Sequence, residues 1–199
     1  MVENGNEIKT IDNNNFLVPN ENWEENVALV REVTAKNLTE VEFRYLYFMA
    51  KSYGLNPLKK QVWAVKYGTA PAQVFISRDG YLTIAHKSGQ FGCMKTTFVM
   101  NEKIPTQPYS ATTQVWRKDY DKPFEGTVLF QEYNLKQSVW LTKPFTMLGK
   151  VSESQTLRKA FDISGAYDPS ELPEEKESEA IVIDIKNKEK VLENGTNSE

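Results

Sequence analysis

The amino-acid sequence predicts an α+β domain in which an antiparallel sheet packs against helices. Two early segments and one late segment carry apolar residues at helical spacing. Most of the stretch between them alternates apolar and polar residues and is rich in aromatic and β-branched side chains, which is typical of strands. With 199 residues, 40% of them hydrophobic, the chain can build one compact core.

Two helices are predicted near the start of this domain. Asn22 is a suitable N-cap for a helix over residues 23–35, which has apolar residues at helical spacing. A second helix is predicted over residues 40–53, because Thr39 and Glu42 have the spacing of a capping box and a glycine follows the apolar stripe.

The sequence then changes to the two-residue period of strands. Residues 61–67 and 73–77 are predicted to pair antiparallel across a loop that contains glycine and proline. After them, Asp79 is a suitable cap for a short helix that ends at Gly89.

The second half is predicted to contain more strands and a final helix. From Phe91 to Thr142, prolines and an asparagine divide a β-prone stretch into three or four antiparallel strands. Thr142, with Pro144 near a first helical turn, opens a last helix of about residues 145–162, which Gly165 brings to an end.

Charge is distributed unevenly along the chain. Residues 1–35 have a net charge of −5, residues 36–160 of +9, and residues 161–199 of −7. This pattern favours a body that binds polyanions, with ends that limit nonspecific association, although an ordinary solvated surface is the alternative. The polar start and the charged end are expected to be disordered. The apolar IVIDI patch at 181–185 is either incidental, a small edge strand, or a peptide that docks on a partner's sheet.

Several classes of protein do not fit the sequence. No apolar run reaches the length of a membrane span and the start lacks the features of a secretion signal, so we expect a cytoplasmic protein with no membrane partner. Cys93 and His86 are the only cysteine and histidine, which argues against a disulfide and a structural metal site. No phosphate-binding glycine motif occurs, so we predict neither an ATP site nor a cofactor.

Catalysis has little support in the residues. His86 is the sole candidate base for a catalytic triad, and no nucleophile motif stands near it. Candidate ligands for the two metal ions of a nuclease are Asp79, Asp119, Asp121 and Glu125. Three of these four lie at one predicted turn, where solvated carboxylates are common. We therefore predict no enzyme, and the alternatives are a metal-dependent nuclease acting on DNA and a purely structural oligomer.

Cations and aromatic rings alternate in the central block, as they do in proteins that bind single strands. The combinations are Lys60 with Trp63, Lys66 with Tyr67, and Trp116 with Lys118. In a strand, Trp116 and Lys118 face one side of the sheet and Arg117 faces the other. The alternative for each tryptophan is a place in the sheet core.

Four segments, taken in order, resemble one known family. They are LNPLKKQVWAV (55–65), SRDGYLTIAHKSGQFGC (77–93), VWRKDYDKPF (115–124) and KPFTMLGKVSESQTLRKAFDISGAYDP (143–169). They are similar to the phage single-strand annealing recombinases of the RecT/Bet family, and the resemblance covers about residues 36–170.

The resemblance implies a recombination protein that binds single-stranded DNA and anneals complementary strands without ATP. Family members form rings or helical filaments, hold the nascent duplex in a basic groove built from a curved antiparallel sheet and helices, and act beside a phage exonuclease. The implied parts are an N-terminal segment (1–35), a DNA-binding and oligomerisation core (36–170) and an acidic tail (171–199). The family's further folded region, which is linked with binding the exonuclease and the host single-strand binding protein, is replaced here by that acidic tail. The two proteins are therefore candidate partners, and the residues that contact them are not carried over.

The resemblance also indicates candidate phosphate contacts. Basic positions of the family's groove match Lys60 and Arg158, and Lys118 and Lys150 lie in matching segments. Lys66 and Trp116 complete the predicted DNA-binding set. On a helical wheel Arg158 lies at the border of the apolar face and Lys159 points nearly opposite, so Arg158 can line a groove. A salt-bridging role on the helix is the alternative for Arg158.

Overall fold

The computed structural model describes residues 23–66, 68–134 and 138–169. Helices and strands occur in groups along this part of the chain, with two helices first, then two strands, one helix, three strands and three helices. The helices are α1 (Val27–Thr34), α2 (Glu40–Tyr53), α3 (Arg78–Lys87), α4 (Phe130–Tyr133), α5 (Ser138–Thr142) and α6 (Pro144–Ala160). The strands are β1 (Val62–Val65), β2 (Gln73–Ile76), β3 (Phe91–Met100), β4 (Pro108–Arg117) and β5 (Phe124–Leu129). Two short 3-10 turns, Trp23–Asn26 and Pro57–Lys59, precede α1 and β1.

The strands form two antiparallel sheets. Strands β1 and β2 pair from Val62 opposite Ile76 to Val65 opposite Gln73, which confirms the predicted pairing. The larger sheet has the order β3-β4-β5, and α6 packs across β4 and β5. The predicted α+β class is therefore confirmed.

Helix α2 has the ends that the sequence predicts. The Thr39 hydroxyl accepts a hydrogen bond from the Glu42 N–H, and the Glu42 carboxylate accepts one from the Thr39 N–H at 2.8 Å. Gly54 ends the helix in the left-handed conformation, with φ of 61°. Its buried stripe includes Phe43 and Leu46, which enter the main core.

Three boundary predictions were wrong. Ser77, not Asp79, caps α3, because the Ser77 hydroxyl accepts from the N–H of Gly80 while Asp79 binds Arg78. Thr142 does not open the last helix; it is the last residue of α5, and Lys143 holds the N-cap position of α6. The region predicted as one helix from residue 23 begins as a 3-10 turn, and α1 itself starts at Val27 with Asn26 at its N-cap position, whereas the predicted cap Asn22 lies outside the described residues.

Two apolar clusters form the core, and β4 and α6 contribute to both. The larger cluster includes Val115 and Leu157, and the smaller one includes Ala111 and Val151. Between them the buried hydroxyl of Ser152 donates to the Thr113 hydroxyl at 2.8 Å. Small and hydroxylated residues thus let the helix approach the sheet closely.

Three predictions concern parts of the chain outside the described residues. These are the mobile start, the disordered tail and the 181–185 patch. The division into segments 1–35, 36–170 and 171–199 also stays a prediction. In the ranges that are described, no helix is long and apolar enough to cross a membrane.

Candidate nucleic-acid interface

A groove runs between the first turn of α3, helix α6 and the edge strand β3. It consists of two adjoining cavities of about 340 and 250 Å³, and Arg78 and Lys150 line both of them. The other lining residues of the first cavity are Trp63, Ser77, Asp79, Met147, Asp168 and Pro169. The second cavity adds Thr96, Phe98, Phe145, Thr146, Gly149 and Glu153. We call this surface the Arg78–Lys150 groove.

The start of β1 is held against the first turn of α3. The carbonyl oxygen of Gln61 accepts a hydrogen bond from the Ser77 N–H at 3.1 Å. Gly80 permits this contact, because a Cβ atom at that position would lie only 2.3 Å from the same carbonyl oxygen. The packing brings Trp63 to the groove wall beside Arg78 and leaves Lys60 one residue away from the contact.

Arg78 is fixed by carboxylates on two elements. Its guanidinium lies 2.9 Å from Asp79 and 3.2 Å from Glu153 of α6, and the Thr96 hydroxyl donates to the same Glu153 carboxylate. The pKa of Arg78 is raised above its ordinary value, chiefly by the hydrogen bond to Asp79. Arg78 therefore joins α3 to α6, and its charge is compensated locally.

Lys150 and Lys60 carry uncompensated charge. Both side chains are exposed, and neither has a hydrogen-bond or ion-pair partner among the residues that the structure describes. Lys150 lies at the junction of the two cavities. Lys60 ends the short 3-10 turn in the left-handed conformation, with φ of 53°. The ammonium group of Lys150 is therefore available to an anion in the groove, and that of Lys60 is available to an anion near the start of β1.

Arg158 lies eight residues after Lys150 on α6, two successive i to i+4 positions along one stripe of the helix. At 1.5 Å per residue the two positions are about 12 Å apart along the helix axis. The Arg158 guanidinium donates to the carbonyl oxygen of Ala166 at 3.4 Å and lies 5.9 Å from the ring centre of Tyr167. Midway, Ser154 donates to buried Asp168. The chain after α6 therefore runs along this stripe and partly covers Arg158.

Lys159 has a different environment, as the helical wheel predicts. Its side chain is exposed and its ammonium group approaches the carbonyl oxygen of Glu125, on β5, at 3.4 Å. Because β5 is at the opposite edge of the sheet from β3, Lys159 points away from the Arg78–Lys150 groove.

Lys66 makes a contact within the fold. Its ammonium group lies 2.9 and 3.0 Å from the two carboxylate oxygens of Glu42. The backbone N–H groups of Thr39 and Ala72 donate to the same carboxylate. These hydrogen bonds lower the pKa of Glu42 to about 2, and the one from the Thr39 N–H has the largest effect, followed by the one from Lys66. Lys66 thus attaches the β1–β2 hairpin to α2, and its predicted DNA contact stays a prediction.

Trp116 and Lys118 are on another part of the surface. Val115 and Arg117 face α6, where Arg117 donates to the Ala160 carbonyl oxygen at 2.6 Å, so the half-buried Trp116 faces the opposite side of the sheet. The Lys118 ammonium group donates to the carbonyl oxygen of Gly89 at 3.2 Å. The structure does not bring these two residues together with Lys60, Lys150 and Arg158.

The candidate catalytic residues are dispersed. Asp79 binds Arg78, Asp119 binds Arg117, and exposed His86 packs its ring edge-on against Phe91. Within the described ranges, no three histidine, cysteine, aspartate or glutamate side chains are grouped so as to hold a metal ion.

Sequence reasoning missed Arg78 as a groove residue. Its signal was present, because Arg78 follows a serine suited to capping and lies in the 77–93 segment that carries the family resemblance. The tertiary contact with Glu153 on α6, 75 residues away, is the part that no local pattern contains.

The comparisons with known proteins identify the family of the chain. The RecT family matches residues 20–183, which is most of the chain. The chain belongs to the RecT family. It is also similar to the recombination protein bet of Escherichia phage lambda, with 26% identity over 162 residues. That match covers 74% of this chain and 58% of the phage lambda protein.

Proposed function

We propose that this chain binds single-stranded DNA and anneals complementary strands without ATP, as a subunit of a homo-oligomer in phage-type homologous recombination. The observation that carries the proposal is the Arg78–Lys150 groove in a chain of the RecT family. The unpaired Lys150 and the ring of Trp63 in the groove supply what strand binding requires, namely a cation for phosphates and a ring for stacking, and Lys60, three residues before Trp63 in the sequence, is a second unpaired cation.

Within this proposal the groove residues have different roles. Lys150 and Lys60 contact phosphates, because their ammonium groups have no partner in the described part of the chain. Arg158 extends the track along α6, and Trp63 offers the face or edge of its ring to a base. Arg78 positions α3 against α6, and its charge is compensated by Asp79 and Glu153. Lys66, Lys118 and Trp116 lie outside the groove and are secondary candidates.

Annealing requires no bond-making chemistry. Pairing and stacking in the product duplex supply the free energy, on the order of 1.4 kcal/mol per base-pair step. The protein has only to hold one strand with its bases accessible until a complementary strand arrives. A phage exonuclease and the host single-strand binding protein are the partners that this role implies, in the cytoplasm of a bacterial host.

The direct test mixes the purified chain with complementary fluorescent oligonucleotides in EDTA and without nucleotide. We expect duplex to form faster than in protein-free controls. A strict requirement for ATP would refute the proposal. Shortening of labelled DNA on addition of a divalent cation would favour the nuclease, and no DNA binding at low salt would favour the structural oligomer.

A second test compares substrates. A groove that holds a pairing intermediate has to reach bases as well as backbone. We therefore expect gel shifts to show tighter binding to two complementary strands added in sequence than to the same duplex formed beforehand. Equal affinity for both substrates would contradict this role.

A further inference from the structure

The chain leaves the Arg78–Lys150 groove directly into its most acidic stretch. Pro169, the last described residue, lines the groove together with Lys150 and Trp63. Within the next ten residues come five carboxylates, interrupted by one lysine at position 176. They are Glu171, Glu174, Glu175, Glu177 and Glu179. We call residues 171–179 the acidic segment.

The acidic segment is close enough to Pro169 in sequence to reach the cations at the groove. An extended chain spans at most about 3.3–3.6 Å per residue, so Glu171 is within about 7 Å of Pro169 and Glu179 within about 36 Å. Lys150 lines the same cavity as Pro169, and Arg158 is about 12 Å from Lys150 along α6. Lys150 and Arg158 are therefore both within reach of these glutamates.

One unpaired cation in the groove favours this occupant. The three carboxylates that line the groove are already engaged, Asp79 and Glu153 with Arg78 and Asp168 with Ser154, whereas Lys150 has no partner in the described ranges. A larger cavity of about 390 Å³ near Tyr109 and Phe130 has no charged residue in its lining and offers nothing to a carboxylate.

We propose that the acidic segment binds the Arg78–Lys150 groove of its own chain and competes there with nucleic acid. The competition rests on the proposed function, since it concerns the same groove. A short tether gives an effective concentration on the order of 1 mM. If the segment binds with a Kd of about 0.1–1 mM, the weak end of nonspecific polyanion affinity, it reduces the apparent affinity for DNA about two- to ten-fold. Strands that bind weakly are thereby rejected first.

The test uses two full-length variants that remove equal charge from different places. The proximal variant is E171Q, E174Q, E175Q and E177Q; the distal variant is D184N, E189Q, E193Q and E199Q. At low salt we expect the proximal variant to bind a fluorescent single strand about two- to ten-fold more tightly, and the distal variant to change by less than two-fold. Adding Lys150→Gln should shrink the proximal gain. An equal gain in both variants would overturn the proposal.

An independent readout does not depend on DNA binding. Carbodiimide treatment of the full chain joins a lysine amine to a carboxylate in contact with it, and mass spectrometry identifies the pair. We expect links from Lys150 to the acidic segment, within single chains when unlabelled and ¹⁵N-labelled protein are mixed, and fewer links after single-stranded DNA is added. Absence of these links, or links between chains only, overturns the inference. Links in a protein that binds no DNA would refute the proposed function and leave the groove contact established.

Discussion

Replacing Gly80 with alanine tests the contact that builds the groove wall. Gly80 lies in the first turn of α3, outside the left-handed region. A Cβ at this position would be 2.3 Å from the carbonyl oxygen of Gln61 and 2.7 Å from Cγ2 of Ile76. The first of these atoms belongs to the backbone and cannot rotate away, so the helix and the start of β1 must separate by about 1 Å to restore ordinary contact.

Two effects of opposite sign determine the outcome. Alanine in place of glycine favours a helix by about 1 kcal/mol, whereas overpacking a core costs about 1–3 kcal/mol and occasionally more. A backbone clash belongs at the upper end, so the net loss of unfolding free energy is about 2 kcal/mol. For a protein of this size, a change of 1 kcal/mol moves Tm by about 2–4 °C, so we expect Tm to fall by about 4–8 °C.

Gly149→Ala is the matched control on a second helix. The nearest atom to its added Cβ is Cζ of Phe98 at 3.2 Å, the far end of a side chain that is 39% exposed and packs edge-on against Phe145, so a small shift toward solvent can relieve the contact. Here the helix propensity should prevail, leaving Tm unchanged or higher. Both variants are compared with the wild type by calorimetry. If Gly80→Ala melts at the wild-type temperature, or Gly149→Ala is the less stable of the two, the proposed packing of β1 on α3 is incorrect.

Three further predictions concern charged residues. Replacing Lys150 or Lys60 with alanine should lower the slope of log affinity against log salt by about 0.7 on single strands. Lys159→Ala is the control and should leave this slope unchanged. An equal loss of slope in all three variants would remove the groove assignment. Arg158→Ala should lower both the salt slope and Tm, because its guanidinium bonds the Ala166 carbonyl, and a lower Tm with a wild-type slope would assign Arg158 a structural role only. Glu42→Gln should lower Tm at neutral pH; since the folded-state pKa of about 2 is below the ordinary 4.5, this difference should be complete above pH 4.5 and vanish as pH falls toward 2. A Tm difference that persists unchanged at pH 2 would show that ionisation of Glu42 is not what stabilises the hairpin.

Local patterns were sufficient for much of the fold. Helix α2 was predicted with both ends, because the capping box of Thr39 and Glu42 and the stop at Gly54 are short-range hydrogen-bond chemistry. The β1–β2 pairing followed from a clear change of period. The predicted bounds of the last helix differ from those of α6 by one or two residues. Val139 and Trp140, which precede α6, form the separate short helix α5, where Trp140 enters the smaller core cluster.

The candidate site was harder to predict, because it is assembled from distant segments. Family resemblance brought Lys60, Lys150 and Arg158 into consideration. Of these, the structure places Lys150 in the lining of the groove and Arg158 eight residues further along the same helix, and the DNA contacts of all three stay predictions. Lys66 illustrates the limit: an adjacent aromatic residue favoured a ligand contact, yet Lys66 pairs with Glu42 in the first turn of α2, 24 residues away in sequence. Spacing along the chain gives no information on which carboxylate a lysine will meet.

The division of the core into two clusters that share β4 and α6 has a consequence for cooperativity. One cluster is much larger than the other, and the hydroxyl layer at Ser152 and Thr113 separates them. Without shared elements, two such clusters would open independently, each with its own local unfolding equilibrium. Helix α6 crosses the layer and contributes Val151 to one cluster and Leu157 to the other, so that opening either cluster loosens the support of its neighbour. Helix α6 also carries Lys150 and Arg158, so the spacing of these cations is set by the most widely connected helix of the fold and not by a loop.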